Sequence, residues 1–168
     1  ATVSNGTLEL QGGSAIGDTT AVIVNATASP ATAGNLLVSA AETIGSLSGN
    51  GGTVVLDAGL TTGDASNTTY AGVISGAGSL TKQGTGTFTL TGANTYSGGT
   101  VINAGTLEGD TTSLQGDIVA NAAGTLLFTQ PANGTYAGAI SGAGVVTKAG
   151  AGTLTLTGDN SGDRKSVV

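Results

Sequence analysis

The chain has 168 residues, of which 31 are glycine and only 8% are charged, with a formal net charge of −6 and a pI near 4.1. The basic residues, Lys82, Lys148, Arg164 and Lys165, form no stripe able to neutralise phosphates, so nucleic acid is not an expected partner. Without histidine or cysteine, His-based triads, disulfides and most transition-metal sites are excluded.

Composition narrows the architecture further. Abundant Val, Ile, Leu and Thr argue against disorder, and two prolines with no three-residue glycine period argue against collagen. No apolar run approaches the ~20 residues a membrane helix needs. Residues 1–4 have neither a basic start nor an apolar core, so no signal peptide is expected within the sequence, and any export signal lies outside it. Many short strands separated by glycine-rich turns remain.

Taken in order, residues 2–10 share Gly-Thr-Leu-Glu with residues 101–109, which suggests a start in mid-repeat. Residues 17–26 and 116–122 read as turn followed by strand. Gly45-Ser46-Leu47-Ser48-Gly49-Asn50-Gly51 fits the pattern Gly-x-(Leu or Ile)-Ser-Gly-x-Gly, which returns at Gly72–Gly78 and Gly138–Gly144. The strongest repeat runs from Thr69 to Asn94 and recurs 66 residues later at Thr135 to Asn160, with 19 of 26 positions identical. Within it, Thr87-Phe88-Thr89-Leu90-Thr91 and Thr153-Leu154-Thr155-Leu156-Thr157 alternate with the period of a half-buried strand. A coil of ~22 residues per turn makes the offset about three turns, and a solenoid tolerates the unequal spacing of the copies. Looser repeats are expected over 2–60 and strong ones over 69–107 and 135–160, in one solenoid segment spanning 1–162. The expected core is Leu80, Phe88, Leu90, Val101, Leu107, Ile140, Val146, Leu154 and Leu156.

Leu80-Thr81-Lys82-x-Gly84-x-Gly86-Thr87-Phe88-Thr89-Leu90-Thr91-Gly92-Ala93-Asn94, continuing to Leu107, resembles the passenger-associated transport repeat of bacterial autotransporter passenger domains, also called the autotransporter-associated β-strand repeat. Phe88 stands where that family usually has Leu. The resemblance implies an all-β, right-handed parallel β-helix, part of a longer rod. It further implies a location outside the cell, at the bacterial surface or secreted. The implied partners are the rest of the passenger and its outer-membrane translocator barrel, with host or bacterial surface molecules a further option and no direct membrane insertion. Residues 163–168 depart from the repeat and hold half the basic residues, so they are expected to be a non-native tail. Open strand edges at both ends would favour end-to-end association.

The repeat positions singled out are Tyr70, Gly76, Gly78, Lys82, Gly84, Gly86 and Asn94, and their counterparts Tyr136, Gly142, Gly144, Lys148, Gly150, Gly152 and Asn160. The glycines read as turn residues rather than phosphate loops, since they lack the Gly-x-Gly-x-x-Gly spacing. Lys82 and Lys148 read as solvated charges at strand ends that discourage edge pairing. The tyrosines, Tyr96 included, read as packing at turns rather than sugar platforms. Asp57 with Asp64, and Asp110 with Asp117, are the nearest candidates for a calcium site or a glycosidase pair, against the simpler reading of turn residues. Gly158-Asp159-Asn160-Ser161-Gly162 is similar to a serine-protease motif but has an extra Asn and no histidine base. No catalytic, cofactor or metal residue is assigned. The expected role is structural, a stalk that assists export by folding outside the cell. An adhesin is the alternative, and an ice-binding solenoid or a polysaccharide-degrading enzyme are remoter ones.

Overall fold

A computed structural model describes residues 1–26 and 33–160. The expected tail at 163–168 lies outside the described residues, as does Ser161 of the protease-like motif. The described chain winds as an all-β parallel solenoid of about seven turns. Every strand pair is parallel, each strand stacking on one from the previous or next coil. At ~4.8 Å per rung, seven coils make a rod on the order of 35 Å long.

Each coil contributes three short strands, which stack into three faces. The first face begins with Thr2–Val3, Ala21–Val24 and Ser46–Ser48 and continues through Thr68–Tyr70 and Thr87–Leu90. It ends in the latter halves of Thr100–Gly109 and Ile118–Thr129, then Val145–Ala149. The second face stacks Gly6–Leu10, Gly34–Val38, Thr53–Leu56 and Val73–Ser75, and later Gly134–Tyr136 and Leu154–Leu156. The third stacks Glu42–Thr43, Leu60–Thr62 and Leu80–Lys82, then the early halves of the two long strands and Ile140–Ser141.

Period-two alternation places one set of side chains inside each face. Phe88, Leu107, Leu126 and Val146 form one inward column, and Leu36, Val54 and Ile74 another. Burying each Leu or Ile contributes roughly 1.5–3 kcal/mol, and these stacks hold the rod together along with the ladders. Phe128 and Tyr136 meet edge to face across the interior, with ring centroids 5.2 Å apart. Leu80, Phe88, Leu90, Leu107, Ile140 and Val146 are buried as expected. Leu154 and Leu156 also pack against the core, though only half-buried. Val101 is a correction: it points outward, and Thr100 and Ile102 take the inward positions because they stack on Leu80 and Lys82. Thr100 tolerates burial because its hydroxyl shares a 2.8 Å hydrogen bond with that of Tyr96.

The coil is shorter than the expected ~22 residues. Leu60, Leu80 and Thr100 are stacked partners 20 residues apart, and Phe88, Leu107 and Leu126 are 19 apart. An offset of 66 is therefore three coils plus one face of about six residues. Accordingly, Leu80 lies on the third face and its counterpart Val146 on the first. The three copies of Gly-x-(Leu or Ile)-Ser-Gly-x-Gly behave alike: Leu47, Ile74 and Ile140 lie on the first, second and third faces respectively. The motif thus specifies a face and its corner, and any of the three faces accepts it.

Candidate functional site

The repeat positions converge on the corners where one face turns into the next. Gly49, Gly76 and Gly142, equivalent in the three copies, have φ of 148°, 100° and 100°. Each presses on the main chain one coil earlier, so that a Cβ would strike the carbonyl of Val24, Leu56 or Ala120. Both the left-handed backbone and the contact require glycine. Gly78, Gly84 and Gly86 lie equally close to the backbone of Ala58, Asp64 and Ser66, and Gly144, Gly150 and Gly152 to that of Gly124, Gln130 and Ala132.

Lys82 overturns the expectation of a solvated charge. It sits on the inward side of its strand, in register with Thr62 and Ile102, and is 1% exposed. All three N–H groups of its ammonium are used, donating to the carbonyls of Gln83 (2.6 Å), Gly84 (2.9 Å) and Ala104 (3.2 Å). The ladder of the next coil shifts register between Ile102 and Ala104, so the ammonium supplies donors where the regular ladder is broken. Burial pushes the Lys82 pKa down, and the charge of Asp64 pulls it partly back. Lys148 repeats the contacts within its own coil, donating to Ala149 O at 3.3 Å and Gly150 O at 2.6 Å, and is half-buried.

Asn94 is buried where the second face lacks a regular strand. Its Oδ1 accepts from Ile74 N at 2.7 Å and its Nδ2 donates to Ser113 O at 2.7 Å, joining three successive coils. Asn160 accepts from Ile140 N at 2.9 Å in the same way, while its Nδ2 donates to Gly158 O. Asn67 and Asn133, another equivalent pair, accept from Thr87 N and Thr153 N, each at 2.8 Å. Sequence reading missed this second pair, although both precede the alternating strand at the same distance.

Tyr70, Tyr96 and Tyr136 are all buried, which removes them as sugar platforms. Burial raises each hydroxyl pKa above its usual value. The acidic residues act locally. Asp64 accepts from Ser66 N, and Asp117 from Ala139 N on the next coil. Asp110 takes the N–H groups of Thr112 and Ser113 and the Thr112 hydroxyl; although burial opposes it, these bonds hold its pKa below the usual value. Asp57 is exposed. Among the described residues no three acidic side chains gather into a metal-binding group. On the outer side of the first face, Glu108 bridges Thr89 and Thr129 of the neighbouring coils, beside a shallow cleft that Asp110 and Pro131 also line.

These contacts are repeated means of holding one coil to the next. No curated protein and no solved structure matches the chain. Residues 80–108 and 146–162 match the model of the family described as Passenger-associated-transport-repeat. The chain therefore carries passenger-associated transport repeats, the repeat of autotransporter passengers.

Proposed function

We propose that this chain is a structural length of an autotransporter passenger. In this reading it forms part of an extracellular stalk, with the right-handed winding the family implies, and assists export by folding coil upon coil outside the cell. The observation that carries the reading is the placement of one motif on all three faces. A rod whose faces are interchangeable can be extended from its last coil, each new coil burying surface on a formed template. The partners would be the remaining passenger and its translocator barrel. The test is secretion of a passenger carrying this segment, read as the rate at which a surface epitope becomes protease-accessible. Gly142→Ala should slow that step, and Thr81→Ser should not. Unchanged secretion by a variant shown to unfold the segment would remove the export role.

Adhesion is a second reading, favoured by the outer side of the third face. Thr43, Thr61, Thr81, Val101, Val119 and Ser141 stack there in one uncharged column. Binding to a host or bacterial surface that Thr81→Lys abolishes would support it. Binding indifferent to that substitution would place any adhesive site elsewhere.

A further inference from the structure

In the first copy of the repeat, two polar side chains reach onto the coil that follows. Lys82 Nζ donates to Ala104 O, 22 residues ahead, and Asn94 Nδ2 donates to Ser113 O, 19 residues ahead. In the second copy these bonds are not made. Lys148 bonds only to carbonyls of its own coil, and Asn160 Nδ2 turns back to Gly158 O. The apolar residues differ in the same sense: Phe88 and Leu90 are buried, whereas Leu154 and Leu156, at the same repeat positions, are half-exposed. Among the described residues no strand stacks beyond Leu154–Leu156. The two copies thus present one motif with and without a coil above it.

From this comparison we infer that Lys148, Asn160 and the edge of Leu154–Leu156 form a capture site for an incoming parallel strand segment of the same repeat. Residues 98–116, the coil that the first copy already holds, exemplify the segment it takes. The chemistry defines the partner. It must offer main-chain carbonyls to the ammonium and to the Asn amide, as Ala104 and Ser113 do. It must place apolar side chains over the inward columns, as Ile102 and Leu107 do. It also needs glycine at the corner, because a Cβ on Gly105 would lie 2.9 Å from Lys82 Nζ. In a growing solenoid the last coil would hold the backbone of the next segment before that segment's core has formed. Only this purpose rests on the export reading above; the capture itself does not.

The test adds a fluorescently labelled peptide of residues 98–116 to the full chain and follows anisotropy, together with hydrogen exchange at Leu154–Leu156. Saturable binding that protects those amides is expected, weakened at least about tenfold by Lys148→Met and by Asn160→Ala and retained by Lys148→Arg. A peptide carrying Gly105→Ala should bind more weakly still. Absence of saturable binding, equal binding of a scrambled peptide, or indifference to Lys148→Met and Asn160→Ala would overturn the inference. So would self-association of the chain that excludes the peptide and survives both substitutions. Because no cell is involved, these results stand apart from those of the secretion assay.

Discussion

Tyr70 and Tyr136 occupy the same position of the repeat, yet only one hydroxyl is satisfied: that of Tyr136 donates to Gly116 O at 2.5 Å, while that of Tyr70 is buried without a partner. The two lie on different faces, Tyr70 stacked between Gly49 and Leu90 and Tyr136 beneath Leu156. Interchangeable faces therefore reproduce the backbone more faithfully than the side-chain bonds. Tyr136→Phe should cost about 1 kcal/mol, the net worth of a hydrogen bond. Tyr70→Phe should be neutral or slightly stabilising, since it removes an unpaired buried hydroxyl. Urea denaturation of both variants checks the contrast, and equal losses would contradict it.

The same logic separates the two lysines. Lys82→Met removes three charge-assisted bonds and leaves buried carbonyls unpaired, so it should destabilise the chain by about 1–3 kcal/mol. Lys148→Met removes two bonds at a half-exposed position and should cost less than about 1 kcal/mol. Thermal or urea midpoints measured side by side would reveal the difference.

How far the sequence foretold these arrangements depends on the scale considered. Strands and corners were legible, because Thr87–Leu90 alternates cleanly and the glycines punctuate it. The coil length was not, because a motif that fits every face recurs by faces, and 66 residues passes equally well for three longer coils. The burial of Lys82 was latent in parity: Leu80 and Lys82 are two apart on one strand and must share a face. General expectation about lysine outweighed that parity, since only the structure shows the carbonyls that satisfy the ammonium. The place of Val101 failed for a related reason, a buried Thr100 being acceptable only with the Tyr96 hydroxyl beside it.

Corner glycines give a third prediction. Gly142→Ala combines a left-handed φ with a clash against Ala120 and should cost about 2–5 kcal/mol, as should Gly76→Ala against Leu56. Gly12 has open space around the position of a Cβ and no left-handed φ, so Gly12→Ala should be neutral or mildly stabilising. If all three alanine variants melt together, the corners are not under the constraint described.

The pH dependence follows from groups whose shifts oppose one another. Burial lowers the pKa of Lys82 in the folded chain, so as pH rises toward the ordinary lysine value of about 10.4 the folded state releases its proton first. The unfolded chain then binds more protons, and stability rises through that window as the cost of the buried charge disappears. The tyrosines act in reverse. Burial raises the pKa of Tyr70, Tyr96 and Tyr136, so above the ordinary value of about 10 the unfolded chain ionises while the folded chain resists. Their contribution is complete below pH ~10 and is lost as pH climbs toward the folded values. Urea midpoints between pH 8 and 12 should therefore rise, pass through a maximum and fall. Lys82→Met should remove the rise and keep the fall, because the three tyrosines are untouched. A rise that persists without Lys82 would assign it to another group and withdraw the buried ammonium as its cause.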